Sequence, residues 1–274
     1  MSTTTSSIPT GDMSLTAAQT RPHVVADAIT IAWRNLLNIR RNPQLLVFAT
    51  IQPVIFVVMF RYVFGGALQN VIPSGPYINF LMPGIFVQTI VFGSLTTGVG
   101  LADDLQKGLV DRFRSLPMAR SAVLVGRTLA DLVRNVFVVI LMCIVGYAVG
   151  WRPHTGGGAV LAALGIVLAF SYSLSWMFAI IGLVARDSET AQAASFPVLA
   201  PLVFASSAFV PVATMPGWLQ TFAEHQPVTV VVDAVRDLTI GGPTRGDVIG
   251  ALAWIVGIVA VCAPIAVSRY RRAV

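Results

Sequence analysis

The stretch that decides the fold is AVLAALGIVLAFSYSLSWMFAIIGLVA, residues 159–185, because it contains no aspartate, glutamate, lysine or arginine. A helix that crosses about 30 Å of hydrocarbon needs about 20 mostly apolar residues. Five other stretches are apolar over a similar length, with charged residues absent or confined to one end. The predicted spans cover residues 43–64, 79–102, 130–150, 159–185, 190–211 and 248–268. The sequence therefore predicts an all-α integral membrane protein with six transmembrane helices.

These spans divide the lysine and arginine residues unevenly. Of the 18 in the chain, fourteen fall on one side of the predicted bundle, and the remaining four, Arg61, Arg152, Arg236 and Arg245, fall on the other. Loops rich in lysine and arginine stay in the cytosol. We therefore expect a multi-pass protein of the bacterial cytoplasmic membrane with both termini in the cytosol.

The composition agrees with a membrane protein, since 55% of the residues are hydrophobic, 11% are charged and the mean hydropathy is +0.78. The net charge of +6 could suggest a nucleic-acid partner. However, the positive residues lie next to span ends, where topology and anionic lipid headgroups account for them. We expect the lipid bilayer, and no nucleic acid, as a partner. Cys143 and Cys262 lie inside predicted spans, so neither a disulfide nor a metal site is expected.

The segment before the first span has two parts. Residues 1–23 are rich in serine and threonine and are predicted to form a disordered cytosolic tail. Residues 24–42 have apolar residues at helical spacing together with Trp33, Arg34, Arg40 and Arg41, which is typical of a helix in the headgroup layer. We expect an amphipathic interface helix that bends at Pro43 into the first span. The alternative is a loose basic leader.

A long charged loop, DDLQKGLVDRFRSLP at residues 103–117, follows the second span. Asp103 and Asp104 favour a helix start, where the helix dipole attracts negative charge, and Pro117 favours its end. Apolar residues recur along one stripe of this predicted helix, at Leu105, Leu109, Phe113 and Leu116. A short helix of this kind can dock into a groove of another protein, although a solvated connecting helix would show a similar pattern.

The loop resembles the signature loop of bacterial ATP-binding-cassette (ABC) exporter permeases of the second type, and in particular their daunorubicin-resistance branch. The matching positions are Asp104, Gly108, Asp111, Phe113, Pro117 and the pair Gly126-Arg127. Leu109 and Arg127 stand where many members have threonine and lysine, and both residues fit that branch. The resemblance extends over about residues 25–272. It implies one transmembrane domain over residues 24–274, which belongs to a permease subunit that exports an amphipathic drug, antibiotic or lipid-like compound.

The resemblance also implies the partners and the energy source. Two copies of a cytosolic ATPase, which bind ATP and Mg, would serve this permease and a second six-span permease, either the same chain or a paralogue. ATP-driven closure of the ATPases would push on the loop helix at residues 104–116 and on the interface helix. The implied coupling residues are Asp104, Gly108, Leu109, Asp111, Arg112, Phe113, Arg114, Leu116 and Pro117. The sequence has no phosphate-binding Gly-x-x-x-x-Gly-Lys-Ser/Thr loop, so we expect no catalytic site and no cofactor in this chain.

The segment before the last span, residues 212–247, predicts two short helices. Pro216 favours the start of one helix, His225-Gln226-Pro227 breaks it, and Gly241-Gly242-Pro243 ends the second. Neither piece is long enough to span the membrane. We expect a re-entrant pair in the outer leaflet, as in similar permeases, while an amphipathic outer loop is the alternative.

Small and polar residues inside the spans have two interpretations. The pairs Ser94/Gly98, Thr96/Gly100 and Ser171/Ser175 indicate close helix packing. Other residues are candidates to line a path for an amphipathic solute, namely Gln52, Phe56, Gln88, Phe92, Tyr172, Phe204 and Ser206.

One acid–base pair, Asp131 and Arg134, is predicted to be a surface ion pair at the start of the third span. An ion-coupled six-span carrier is therefore disfavoured, because it would need charged groups buried near the midplane. Export of a cell-envelope lipid or a polysaccharide stays open, as does a purely structural role.

Overall fold

The computed structural model describes residues 43–72, 75–108, 120–185, 187–242 and 244–273. Within these ranges every regular element is a helix, as the sequence predicts. In chain order the α-helices are α1 (Pro43–Val58), α2 (Gly65–Leu68), α3 (Tyr77–Gln106), α4 (Arg120–Val149), α5 (Gly157–Ala185), α6 (Ser188–Phe204), α7 (Gly217–His225), α8 (Pro227–Ile240) and α9 (Thr244–Ala273). A π-helix, Met59–Val63, continues α1, and 3-10 turns lie at Gln69–Val71 and Val212–Thr214. The predicted tail and interface helix, with Trp33, Arg34, Arg40 and Arg41, lie outside the described residues.

Four helices of the described part are long and apolar enough to cross a membrane, at Tyr77–Gln106, Leu124–Val149, Gly157–Ala185 and Thr244–Tyr270. The protein is therefore a multi-pass membrane protein. The other two predicted spans are shorter. α1 has 16 residues before its π-helix, and α6 has 17, which at about 1.5 Å per residue reaches about 26 Å. α6 ends at Phe204, before residue 211, where the sequence predicts that this span ends.

α3 is the central helix of the bundle. Its residues 77–91 are all buried, and it packs most extensively against α5. The core around it contains large side chains from three segments, including Phe86, Phe170, Phe178 and Trp151. α9 is peripheral and exposes a row of large apolar side chains, which suits a helix that faces lipid.

The contact between α3 and α5 depends on glycine. A Cβ atom on Gly98 would lie 2.4 Å from the carbonyl oxygen of Phe178, and one on Gly182 would lie 2.2 Å from the carbonyl oxygen of Gly98. Ser94 Oγ also donates a hydrogen bond to the carbonyl oxygen of Ser171 at 3.2 Å. The prediction that small residues of these spans pack helices together is therefore confirmed here.

The chain between α6 and α7 is irregular, and side chains of α8 and of the residue before it satisfy part of its backbone. Gln226 Nε2 donates to the carbonyl oxygen of Ala205, and Arg236 Nη2 donates to that of Ser207 at 2.7 Å. Irregular backbone survives at membrane depth only where the protein supplies such partners. The two short helices are confirmed, with the predicted break at Gln226 and with Pro227 as the first residue of α8.

Candidate functional site

A cleft opens between α1, α3 and α4, about halfway along α3. It encloses about 180 Å³. The lining residues are Gln52, Pro53, Gln88, Thr89, Phe92, Gly93, Leu95, Thr96, Arg134, Asn135 and Val138. Three of the predicted path residues, Gln52, Gln88 and Phe92, therefore line one site. A mostly apolar lining with a few convergent polar groups is typical of small-molecule sites.

Gln88 is the unusual member of this lining. The residue is only 2% exposed, and its amide oxygen has no hydrogen-bond partner among the described residues. An unpaired buried acceptor costs about 1–3 kcal/mol. The oxygen is itself buried, so a molecule that enters the cleft does not reach it with the side chain in this position.

The polar end of the cleft is an ion pair in α4. Arg134 Nη1 lies 3.4 Å from Asp131 Oδ1, and the guanidinium also donates to Thr96 Oγ1 at 2.5 Å and to the carbonyl oxygen of Gly93 at 2.7 Å. The prediction of a surface pair is wrong, since Asp131 is only 8% exposed. α4 begins at Arg120 rather than at residue 130, and Asp131 therefore lies in the helix interior.

Hydrogen bonds extend this polar end across three helices. Thr97 Oγ1 donates to Asp131 Oδ2 at 2.6 Å and lies 3.3 Å from Ser175 Oγ. Asn135 Nδ2 donates to Ser171 Oγ at 2.5 Å. A polar network thus joins α3, α4 and α5. The argument that the spans hold no buried charged groups is therefore wrong, and ionisable residues at this depth mark a candidate functional site.

Two other path candidates, Phe56 and Phe204, lie in an aromatic cluster centred on Phe209. The ring of Phe209 is 6.0 Å from the rings of both candidates and stacks on Phe60 at 4.5 Å, measured between centroids. The cluster joins α1 to the end of α6. Phe204 is also 52% exposed, so it presents an aromatic surface beside the bundle.

The last two path candidates lie elsewhere. Tyr172 lines a separate shallow groove between α4 and α5 and makes an edge contact with Trp176, with ring centroids 6.2 Å apart. Ser206 is buried, and its hydroxyl donates to the carbonyl oxygen of Val203 at 2.6 Å while it lies 3.2 Å from the amide of Ala208. Ser206 thus supports the turn that follows α6.

The two ends of the signature loop meet in an ion pair between Asp104 and Arg127. Asp103 and Asp104 lie in the last turn of α3, so the prediction that they begin a helix is wrong. Carboxylates are unfavourable at a helix C-terminus, and here Lys107, at 2.6 Å from Asp103, and Arg127 offset them. α3 ends at Gln106, and Gly108 then turns the chain with a φ of +66°.

The remaining predicted coupling residues lie outside the described residues. They are Leu109, Asp111, Arg112, Phe113, Arg114, Leu116 and Pro117. In the part of the chain that the structure covers, no group of three or more histidine, cysteine, aspartate or glutamate residues could hold a metal ion.

A second acid–base pair lies at the opposite end of α3. Arg236 Nη1 is 2.5 Å from Asp233 Oδ1, and its guanidinium carbon lies 3.8 Å from the centre of the Phe80 ring. Ser207 Oγ also donates to Asp233 at 2.8 Å. Both charged residues are thereby held among α3, α8 and the turn after α6.

Sequence reasoning missed several of these residues as parts of a site. Arg134 and Asn135 line the cleft, and Phe209 centres the aromatic cluster. Arg236 supports the irregular backbone. One sequence pattern could have indicated the two arginines. In both α4 and α8 an arginine follows an aspartate by three residues beside a long apolar stretch.

Comparisons with known proteins identify the family. The model of the ABC-2 type transporter family matches residues 27–240. The daunorubicin resistance ABC transporter permease protein DrrB1 of Streptomyces coeruleorubidus is 36% identical over 251 residues, which is 92% of this chain and 88% of that protein.

More distant relatives point to the same family. The probable doxorubicin resistance ABC transporter permease protein DrrC of Mycobacterium tuberculosis is 29% identical over 91% of this chain and 90% of its own length. A putative transport permease of Porphyra purpurea, ycf38, is 26% identical over 78% of this chain and 74% of that protein. The helical bundle, the paired ends of the signature loop and these relatives agree, and the chain belongs to the ABC-2 type transporter family of membrane permeases.

Proposed function

We propose that this permease is the membrane subunit of an ABC exporter that moves an amphipathic, drug-like compound out of the cell. The observation that carries the proposal is the cleft halfway along α3, in a chain whose relatives are named for daunorubicin and doxorubicin resistance. The cleft combines apolar walls with amide, hydroxyl and guanidinium groups, which suits a molecule with both an apolar body and polar substituents.

Energy would come from a separate cytosolic ABC ATPase, present in two copies, which binds ATP and Mg. A second permease, either a copy of this chain or a paralogue, would complete the transmembrane core. The ion pair between Asp104 and Arg127 supports this arrangement, because it fixes both ends of the signature loop to the bundle. Movement of the loop, including Phe113, would then be passed to α3 and α4.

The proposed topology has six crossings within residues 24–274, both termini in the cytosol and residues 1–23 as a tail. Six crossings require α1 and α6 to pass through the bilayer as well, and the irregular segments after each would complete the crossing. α7 and α8 would form the re-entrant pair at the outer side. The proposed location is the bacterial cytoplasmic membrane.

The test is transport in inside-out membrane vesicles that contain the permease and the ABC ATPase that co-purifies with it. We expect ATP-dependent uptake of doxorubicin, followed by its fluorescence. Vesicles with the ATPase inactivated in its phosphate-binding lysine are the matched control and should show none. Uptake that needs only a proton gradient, or no ATP-dependent uptake with a competent ATPase, would contradict the proposal.

A further inference from the structure

We propose that a polar seam between α3 and α4 transmits movement of the signature loop to the middle of the bundle, and that Thr97 and Gly100 are positioning residues of this seam. This inference deepens the proposed function and rests on it, because it requires an ATPase that acts on the loop. The polar seam consists of Gly93, Thr97, Gly100 and Asp104 of α3 and Arg127, Asp131 and Asn135 of α4.

The spacing of these residues places them on facing sides of the two helices. The α3 residues follow one another by four, three and four positions, and the α4 residues follow one another by four positions each. Residues three and four positions apart lie on the same face of a helix. From Gly93 to Asp104 the seam extends along α3 for about 16 Å, at about 1.5 Å per residue. It therefore covers about half the thickness of the hydrocarbon layer.

At the loop, the seam is held by the ion pair between Asp104 and Arg127. The guanidinium of Arg127 also lies directly against Gly100, where a Cβ atom would be 2.8 Å from the guanidinium carbon. Any side chain at this position would therefore displace the arginine. Gly100 thus positions Arg127 beside α3, within reach of the carboxylate.

Towards the middle of the bundle, the seam continues through polar side chains. Asp131 Oδ2 accepts a hydrogen bond from Thr97 Oγ1 at 2.6 Å. Asn135 packs against Gly93, where a Cβ atom would lie 2.8 Å from Asn135 Oδ1. If α4 slid along α3, the buried carboxylate would lose the donor that Thr97 provides, which is unfavourable at this depth. The seam therefore holds α3 and α4 in one register.

The two ends of the seam lie at the two places that transport has to connect. Asp104 and Arg127 flank the signature loop. Gly93 and Asn135 line the cleft, and Arg134, which also lines it, donates to the carbonyl oxygen of Gly93 at 2.7 Å. Contiguous side-chain networks can carry energetic coupling between distant sites. A displacement of the loop ends would thus reach the lining of the cleft through two helices that move together.

The contact of α3 with α5 provides a comparison within the same helix. There Gly98 and Gly182 bring the two backbones together, and Ser94 donates to the carbonyl oxygen of Ser171. None of these residues lies at an end of the signature loop. We therefore expect the contact with α5 to stabilise the bundle, and the polar seam to transmit movement.

The first test is doxorubicin uptake per ATP hydrolysed in inside-out vesicles that contain the permease and its ATPase. Thr97→Val keeps the shape of the side chain but removes the donor, and should lower this ratio roughly tenfold. Thr97→Ser keeps the hydroxyl and should retain the ratio. Ser94→Ala and Ser175→Ala are the controls, because they remove buried hydroxyls that contact α5 or Thr97 without contacting α4. Both should keep the wild-type ratio, even if they unfold at a lower temperature.

Two outcomes of this test would overturn the seam. One is a wild-type ratio in Thr97→Val, and the other is an equal loss of the ratio in Ser94→Ala. In both cases ATP-driven uptake by the wild type would leave the proposed function standing. Vesicles in which the wild type shows no such uptake would instead contradict the proposed function.

The second test uses no drug. In a background without Cys143 and Cys262, Gln52→Cys places a thiol in the exposed part of the cleft lining. Its rate of reaction with N-ethylmaleimide should change severalfold when the ATPase binds a non-hydrolysable ATP analogue. Adding Gly100→Ala should abolish this change, whereas adding Gly165→Ala should not, since nothing lies within 4 Å of a Cβ there. A change that persists with Gly100→Ala, or no change with the seam intact, would overturn the proposal.

Discussion

Two Asp-x-x-Arg pairs lie inside this bundle, and their surroundings differ. Asp131 and Arg134 of α4 are 3.4 Å apart, contact Thr97 and Gly93 of α3, and border a cleft. Asp233 and Arg236 of α8 are 2.5 Å apart, and the arginine packs on Phe80, also of α3. Identical spacing thus serves two roles. The α4 pair borders a space that a ligand can enter, whereas the α8 pair supports an irregular backbone.

The difference shows that the neighbouring groups, rather than the pair itself, decide the role. Around the α8 pair, Ser207 and Phe80 contact the guanidinium, while its Nε has no partner among the described residues. Near the α4 pair, the amide oxygen of Gln88 is likewise unpaired. The feature that distinguishes the two pairs is therefore the open cleft beside the α4 pair.

The largest expected effect comes from removing the α8 arginine. Arg236→Ala leaves the carbonyl oxygen of Ser207 without this donor and the carboxylate of Asp233 without its positive partner, with Ser207 Oγ as its remaining donor. The change should lower stability by about 3 kcal/mol. Because the side chain of Asp233 is partly exposed, we expect a loss of stability at the lower end of the range for a broken buried ion pair. The measurement is thermal unfolding in detergent with the yield of folded protein. If Arg236→Ala unfolds at the wild-type temperature, the structural role of this pair is wrong.

A second prediction concerns α3, the helix that both pairs contact. Gly98→Ala should force α3 and α5 apart and cost about 1–3 kcal/mol, because its Cβ would lie 2.4 Å from the carbonyl oxygen of Phe178. Gly165→Ala is the control, since nothing lies within 4 Å of a Cβ at that position of α5. Thermal unfolding should separate the two variants, and equal unfolding temperatures would contradict the close contact.

A smaller effect is expected at the ends of the signature loop. The side chains of Asp104 and Arg127 are 23% and 19% exposed, so their pair should contribute roughly 1 kcal/mol. Asp104→Asn and Arg127→Gln should clearly lower the uptake per ATP hydrolysed, while each changes the free energy of unfolding by only roughly 1 kcal/mol. The measurement is a double-mutant cycle, in which the uptake per ATP hydrolysed is compared for the two single variants and the double variant. If the effects of the two single variants simply add in the double variant, the ion pair does not link the loop to the bundle.

The smallest effect should come from an exposed aspartate outside the spans. Asp187 accepts a hydrogen bond from the amide of Thr190 at 2.8 Å and caps α6. This bond holds the pKa of the Asp187 carboxyl below its ordinary value of 3.8. Its stabilising contribution is thus present above pH 3.8 and disappears as the pH falls below it. The difference in unfolding temperature between wild type and Asp187→Ala should shrink from pH 7 to pH 3, and a constant difference would argue against the cap.

Much of the fold could be predicted from the uncharged stretches. α5 covers Gly157–Ala185 where residues 159–185 were predicted, and the break at Gln226 is where proline predicts it. The length of α4 could not be predicted in this way. In the sequence, Arg127 reads as a loop residue and Asp131 as the start of the span. Only their partners on α3, Asp104 and Thr97, make their inclusion in the interior of a long helix favourable.

The site was predicted only in part for a similar reason. Gln52, Gln88 and Phe92 could be found because polar or aromatic residues stand out within apolar spans. Arg134 and Asn135 could not, since they join the cleft only through the extended α4 and its approach to Gly93. A Cβ on Gly93 would lie 2.8 Å from Asn135 Oδ1. Such a close contact between two helices cannot be predicted from the spacing of residues along either one.

The most direct test of the two roles compares Asp131→Asn with Asp233→Asn. Each variant keeps the shape of its side chain and removes one negative charge. ATP-driven doxorubicin uptake should be divided by the amount of folded transporter in the same vesicles. We expect Asp131→Asn to lower the yield of folded protein, since it breaks a buried pair, and also to lose most of the uptake per folded molecule, because Arg134 then carries an unbalanced charge beside the cleft. Asp233→Asn should yield less folded protein, with nearly wild-type uptake per folded molecule. The reverse outcome, or an equal loss of uptake in both variants, would contradict the assignment of binding to the α4 pair and of structure to the α8 pair.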